Sequence, residues 1–414
     1  MAMKQVFEGV KIADFSWVAA GPQMAREFAE HGATVVRVES HRRPDVLRLL
    51  PPFLGAKTGI DRSAFGAMNN TNKYGMSLDL SKPKGREVGL KLALWADIVT
   101  DGMIPGTMKR WGLDYESLKS IKPDIIMYST NQHGQYGPYH TYSSYGWAGA
   151  AQAGLFVLTG WPDRIPELLY GAYTDYVSPW YLITTLVAAL DYRRRSGRGM
   201  YFDQSQIESA INFLGPAVLD YTVNGRIANR AGNRDPNWAP HDAYPCRGKD
   251  RWCTITARND NDWQVLCQVM GNPDWAESPR FATILSRKEN EDELNKLIGE
   301  WTKDYPAEQV MATLQAAGVP SAVVQTCEDL FADPQLKHRQ HFRLLQHKVI
   351  GPHHYHAPAY KLSKTPAHIW KAGPALGQDN EYVYKKLLGF TDDELAELLV
   401  QGVITTETDM PAGF

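Results

Sequence analysis

Val10-Lys11-Ile12-Ala13-Asp14-Phe15, then Gln23-Met24-Ala25-Arg26-Glu27-Phe28-Ala29-Glu30, then Ala33-Thr34-Val35-Val36-Arg37-Val38: within the first forty residues the chain reads strand, helix, strand. The two strand candidates are short, mostly apolar runs, and the segment between them carries apolar residues at helical spacing. A strand, a crossover helix and a second strand form a βαβ unit, which implies a parallel sheet. The pattern continues outward: residues 86–95 have helical spacing, 97–99 open a strand, Tyr115–Ile121 is helical and 124–129 form another strand. Such alternation predicts an α/β domain with helices on both faces of its sheet.

Farther along, Ser178-Pro179 reads as a helix start, a capping hydroxyl followed by a proline tolerated in the first turn. That helix is expected to run to about Arg195 and stop at Gly197. Its most apolar part, residues 180–190, is about half the length that spans a bilayer and reads as a core helix. Residues 229–247 are crowded with Asn, Arg, Gly and Pro and read as an extended loop. Beyond them, strands at 252–257 and 321–324 and helices at 260–270, 291–303 and 307–316 predict a small α/β domain. The last part shows no clear period until a helix at 392–401, and is expected to return to the first domain. The expected division is therefore a large domain of residues 1–220 and 335–414, with a linker and small domain at 221–334.

Bulk properties narrow the function. Lys plus Arg number 44 against 46 Asp plus Glu, a net charge of -2 that favours neither nucleic acid nor an anionic membrane as partner. Residues 1–10 lack the basic flank and apolar core of a secretory leader, so the cytoplasm is the expected compartment. Cys246, Cys253, Cys267 and Cys327 show no Cys-x-x-Cys spacing and read as buried free thiols.

Few residues declare chemistry. In Leu169-Tyr170-Gly171-Ala172-Tyr173-Thr174-Asp175-Tyr176 an acid stands three residues before the expected helix. Asp175 either complements the helix dipole or acts as a nucleophile, since a carboxylate can attack a thioester without a metal or redox cofactor. The turn Ala19-Ala20-Gly21-Pro22 lies at the carboxyl end of a strand, where open α/β sheets bind ligands, although small residues there also serve tight packing. No Gly-x-Gly-x-x-Gly dinucleotide fingerprint occurs in a suitable context, which argues against a nicotinamide-dependent dehydrogenase. His338, His341, His347, His353, His354 and His356 cluster without the ligand spacing of a zinc site, and no metal is expected. The Arg193–Arg195 run reads as a helix C-terminus, and Trp147, Trp161 and Trp180 as core.

A set of separate motifs then accumulates. They are Ala20-Gly21-Pro22 followed by Gly32-Ala33-Thr34-Val35-Val36-Arg37-Val38-Glu39, then Asn72-Lys73 with Ser77-Leu78-Asp79-Leu80, and Pro105-Gly106 through Arg110-Trp111-Gly112. Ser196-Gly197-Arg198-Gly199, Gly232-Asn233-Arg234 through Ala239-Pro240, Gly318-Val319-Pro320 and Pro374-Ala375-Leu376-Gly377 complete the set. With these the chain resembles, over nearly its whole length, the class III CoA-transferases typified by formyl-CoA transferase and carnitine CoA-transferase.

The resemblance implies a large doubly wound, Rossmann-like α/β domain and a small α/β domain joined by long linkers, with two chains interlocked as a dimer. It implies Asp175 as the catalytic carboxylate, forming an acyl anhydride and then an aspartyl-CoA thioester. Acyl-CoA and a carboxylic acid are then the substrates, with no tightly bound cofactor. It implies CoA contacts at Ala19 and Ala20, at Leu78, Asp79, Leu80 and Ser81, at Arg110 as a phosphate contact, and along 142–145, Tyr142 and Tyr145 included. Two positions depart: the formyl-CoA enzyme has arginine where this chain has Ser40 and glutamine where it has Ala19. His41, Arg42 and Arg43 are candidates for the missing charge. The glycine-rich active-site loop of the formyl-CoA enzyme has no counterpart after Gly232, which argues against oxalate and formate.

The expected donor is succinyl-CoA and the expected acceptor a bulky or aromatic acid, as in the benzylsuccinate transferases. The assembly is a homodimer or a heteromer with a related subunit. Two alternatives remain on the same fold. One is an α-methylacyl-CoA racemase, whose motif histidine is missing from Tyr142-Ser143-Ser144-Tyr145 although His140 is near. The other is a non-catalytic CoA-binding subunit.

Overall fold

Six parallel strands carry the first unit: β1 (Lys11–Phe15), β2 (Thr34–Glu39), β3 (Tyr74–Ser77), β4 (Ile98–Asp101), β5 (Ile126–Asn131) and β6 (Met200–Ser205). The computed structural model describes residues 4–405, and the last nine residues of the expected large domain lie outside them. The strand order is β3-β2-β1-β4-β5-β6, with Ile12 of β1 in register with both Val35 and Ile98. This is the doubly wound order, in which the chain leaves β1 toward one edge and returns at β4 toward the other. Ala13, Val36, Val99 and Met127 face one layer, with Val88 and Leu92 of the Pro83–Trp95 helix. Ile12, Val35, Ile98 and Ile126 face the other, with Met24 and Phe28 of the Ala20–Glu30 helix.

Strand β3 is an edge, and the chain's last segment covers it. Asp379 and Asn380 accept the outward N–H groups of Gly75 and Ser77 at 2.7 and 2.8 Å. Unpaired edge amides are thereby satisfied by side chains rather than left as a template for another strand. A Cβ on Gly75 would stand 2.9 Å from Pro374, so a side chain there would push this cover away.

Within the described residues the first unit comprises 4–155, 168–225 and 335–405, and the second 156–167 and 226–334. Segment 156–167 thus groups with the second unit, where Trp161 packs on Gly232. The second unit has a three-stranded sheet, β7 (His241–Cys246), β8 (Arg251–Thr256) and β9 (Ser321–Val323), in the order β7-β8-β9 and antiparallel throughout. Its core joins Cys253 and Ile255 to Trp263, Leu294, Ile298, Val310 and Leu314.

Four expectations are corrected. Cys327 is exposed; only the other three cysteines are buried. The stretch after Asp333 holds an antiparallel hairpin, β10 (Phe342–His347) and β11 (Gly351–His356), which contains four of the clustered histidines and hides its alternation behind them. The 180–190 helix is two-faced: Leu182, Leu186 and Ala189 are buried, while Trp180, Tyr181 and Val187 are exposed. Trp147 is likewise exposed rather than core. Arg193 does have a structural role, bonding Asp97 and Asp124 at 2.9 and 2.6 Å. No helix among the described residues is long and apolar enough to cross a membrane.

Candidate active site

The switch point between β1 and β4 opens a cleft at the carboxyl ends of the strands. Trp17 and Val18 follow β1, Gly102 and Met103 follow β4, and all four line a cavity of about 550 Å³. Such a crevice is where doubly wound sheets bind ligands.

The loop after β1 is held from beneath by buried charge. Asp14, on the central strand and fully buried, accepts from Lys73 Nζ at 2.9 Å and from Thr100 Oγ1 at 2.8 Å. Burial alone would raise its pKa, but Lys73 and Arg37 outweigh it and hold the carboxyl well below its usual range. Asp14 also accepts from the Ser16 N–H and hydroxyl, and Arg37 donates to the Ser16 carbonyl and to Asp45. Asp45 in turn accepts the Val18 N–H at 3.1 Å. Val18 has φ +61°, a left-handed conformation costly for a β-branched residue, and it lines the cleft. A Cβ on Gly21 would lie 2.3 Å from Ser16, so glycine is what lets the helix start this close to the loop.

The cleft gathers most of the expected contact residues. Leu78, Asp79, Leu80, Ser81, Arg110, Tyr142 and Tyr145 all line it. Ser81 bonds Asp79 Oδ1 through both N–H and hydroxyl, and Arg110 Nη2 donates to Thr107 Oγ1 at 2.8 Å. Arg42 and Arg43 join the wall, Arg42 at 3.4 Å from Asp79 and Arg43 over the Trp17 ring. Ala19 does not line it: this residue is buried, and its carbonyl accepts the Gln23 N–H at the start of the helix.

A smaller cavity of about 90 Å³ shares Trp17, Val18, Gly102, Gln132 and Tyr145 with the cleft and adds Ala20, Asp175 and Gln206. Asp175 stands in the first turn of the Tyr173–Ser196 helix, not before it. The Ser178-Pro179 signal misled because this helix begins without a side-chain cap, and Pro179 lies inside it. The nearby hydroxyl of Thr174 is used sideways instead, donating across to Gln132 Oε1 or the Gly146 carbonyl, both at 3.1 Å.

Asp175 is only 4 % exposed. Burial pushes its pKa up to about 7, against hydrogen bonds from the Gly146 N–H and from Gln132 that favour the anion. Gln132 Nε2 lies 3.4 Å from Oδ1 and also bonds Gln206 Oε1. Two glycines one helical turn apart admit this arrangement: a Cβ on Gly149 would stand 1.9 Å from Gln132 Oε1, and one on Gly146 would crowd Asp175. The sequence reading missed Trp17, Val18, Gln132 and Gln206. The last two directly follow β5 and β6, and the rule that ligands bind at strand carboxyl ends would have found them.

The pattern of CoA-transferase family III matches residues 7–380. The chain belongs to CoA-transferase family III. It is 32% identical over 397 residues to the succinyl-CoA–D-citramalate CoA-transferase of Chloroflexus aurantiacus, covering 96% of this chain and 98% of that one. It is 27% identical to the succinyl-CoA:glutarate CoA-transferase of Homo sapiens, covering 96% and 89%. Among solved structures, a CaiB/BaiF family protein from Brucella suis superposes with a TM-score of 0.85 at 27% identity, over 93% of this chain and all of that one. As a member of family III the chain is a CoA-transferase, and CoA thioesters are its substrates.

Proposed function

We propose that the chain moves CoA from succinyl-CoA to a second carboxylic acid, with Asp175 as the covalent carrier. The observation that carries this reading is Asp175 itself, a buried carboxylate held by two donors and lining a small cavity that shares Trp17, Gln132 and Tyr145 with the cleft walled by Arg42, Arg43 and Arg110. The succinyl donor is supported by the names of the citramalate and glutarate relatives.

In this mechanism a carboxylate oxygen of Asp175 attacks the thioester carbonyl carbon. The C–S bond breaks, CoA leaves as thiolate, and an aspartyl acyl anhydride remains. The thiolate then attacks the aspartyl carbon and expels succinate, leaving an aspartyl-CoA thioester. An acceptor carboxylate attacks that thioester, the thiolate returns to the new acyl carbon, and Asp175 is restored as carboxylate. The Gly146 N–H and Gln132 stay within reach of the aspartyl oxygens, so they would stabilise the oxyanion whenever the aspartyl carbon becomes tetrahedral. Arg110, with Arg42 and Arg43, would contact CoA phosphates through charge-assisted hydrogen bonds. Ala20, the 78–81 loop, Tyr142 and Tyr145 would wall the thioester, and Ala19 would act only through the turn it caps.

The acceptor is read as a dicarboxylic acid, with benzylsuccinate as the aromatic member of that class. The assembly is read as an interlocked pair of this chain or of this chain with a related subunit. The apolar face left exposed by Trp180, Ile211, Phe213 and Leu219 supports it.

The test is a transfer assay with succinyl-CoA and a panel of acids including malate, glutarate, citramalate and benzylsuccinate, read by mass spectrometry, with Asp175→Ala in parallel. New acyl-CoA that depends on Asp175 is the expected result and names the acceptor. Undiminished transfer by Asp175→Ala would overturn the mechanism.

A further inference from the structure

The small cavity beside Asp175 takes part of its wall from amides and hydroxyls: Thr130, Asn131, Gln132, Ser144 and Gln206. Gln206 is 6 % exposed and opens the helix after β6, so the sheet fixes its place. Its Oε1 is turned toward Gln132 Nε2, which donates to it, and lies 3.4 Å from the Thr174 hydroxyl. With the oxygen facing these donors, the amide is oriented, and its other end is the Nε2 donor. That Nε2 makes no hydrogen bond to any described residue, although Gln206 lines the cavity that Asp175 lines. Three neighbouring donors are engaged: Gln132 Nε2 with Gln206 and Asp175, the Gly146 N–H with Asp175, and the Val18 N–H with Asp45, whereas Asn131 Nδ2, on another residue of the cavity wall, has no partner among the described residues.

We infer that Gln206 is a specificity-determining residue whose Nε2 donates to a second acceptor oxygen on the acyl chain, selecting acids that carry a further carboxylate or hydroxyl over unsubstituted ones. The inference rests on the reading of Asp175 as the carrier, because it places the acyl chain in the cavity that Asp175 shares. A nearly buried donor discriminates strongly, since an acyl chain without the oxygen leaves that donor unpaired in a site from which it has displaced water. Gln132 sets the orientation and thereby links selection to the group that also holds Asp175. No covalent step is added; the contact forms with the ground-state chain and persists through each acyl transfer.

The experiment measures kcat/KM with succinyl-CoA as donor for succinate in isotopically labelled form, for malate and for butyrate, in the native chain, Gln206→Met and Gln206→Glu. Met keeps the length of the side chain without a donor. Glu keeps the oxygen that Gln132 bonds, so it preserves the local fold if Met does not, and it replaces the donor with an acceptor. In both variants the succinate-to-butyrate and malate-to-butyrate ratios are expected to fall by about 100-fold or more. A uniform loss across the three acids, or ratios unchanged from native, would overturn the inference, as would a native chain that does not prefer the substituted acids. Asp175→Ala in the same assay reports separately on the carrier: transfer that survives it removes the mechanism, whereas altered ratios with transfer still dependent on Asp175 concern Gln206 alone.

Discussion

Gly146 and Asp175 approach so closely that an ideal Cβ on the glycine would stand 2.6 Å from Asp175 Oδ2. The contact brings the Gly146 N–H onto the carboxylate and leaves no room for even a methyl group. Gly146→Ala is therefore expected to displace the carboxylate and also to press on Ala172, whose Cβ would be equally close at 2.6 Å. Displacement of a reacting group by about 1 Å can cost on the order of 100-fold in rate. The expected result is a loss of about that size in kcat together with a lower melting temperature. Full activity in Gly146→Ala would show that the carboxylate does not need its present seat.

Burial, which raises the Asp175 pKa to about 7, fixes the sign of two pH effects. In its proposed role as nucleophile the group must be ionised, so kcat/KM is expected to rise with pH to a midpoint near 7 and level off above it. Stability runs the other way. A carboxyl that holds its proton more tightly when folded contributes stability below its unfolded pKa near 4, and loses it as pH rises through about 7. Asp175→Asn, permanently neutral, should be inactive yet more resistant to urea than the native chain. Its advantage should be small at pH 5 and larger at pH 8, on the order of 3–4 kcal/mol at most. An advantage that did not grow with pH would contradict the buried ionisation.

The two outcomes above depend on a residue whose chemistry could not be read from its own neighbourhood. Around Asp175 the strongest sequence signal, Ser178-Pro179, placed the helix start five residues too late, and burial of the carboxylate is a tertiary property supplied by Gly146 and Gln132. The parallel sheet was legible because β1, β2, β4 and β5 each carry adjacent apolar residues and are buried on both faces over most of their length. Strands β3 and β6 were not. Tyr74-Gly75-Met76-Ser77 is short and interrupted by glycine, and Met200–Ser205 is a partly exposed edge carrying Asp203 and Gln204. The motif residues near Pro374 were visible but their work was not: they cover the β3 edge, over 290 residues away in sequence.

Asp14 and Lys73 offer a test of how the site is supported. Both are fully buried, 2.9 Å apart, beneath the Ser16–Val18 loop. Removing one partner leaves the other charge buried without its match, which typically costs about 3–5 kcal/mol. Asp14→Leu and Lys73→Met should each lower urea resistance by an amount of that order, whereas the double variant should fall well short of the sum, with a coupling of about 1–3 kcal/mol. Strictly additive losses would mean that the two charges are stabilised by other partners. Because Asp14 also holds Ser16, a rise in KM for the CoA substrate should accompany Asp14→Leu.

Leu219 and Val223 lie one turn apart on the Gly215–Asn224 helix and are 62 % and 76 % exposed, beside exposed Tyr221 and Phe213. Trp180, Tyr181 and Val187 extend the same character along the long helix that begins at Asp175. So many large exposed apolar side chains on two helices are uncommon on a monomer and common where chains associate. If a second chain covers them, the native protein should sediment at twice the chain mass at micromolar concentration. Leu219→Arg combined with Val223→Arg should then shift the population to single chains and lower the melting temperature, because isolated chains would face water with the remaining aromatic residues. The coupling to activity follows from continuity: the Tyr173–Ser196 helix presents Asp175 at one end and exposed Trp180 and Val187 farther along. Loss of the pair should therefore reduce kcat as well as stability. A native chain that sediments as a single copy and still transfers CoA would show that this face has another role.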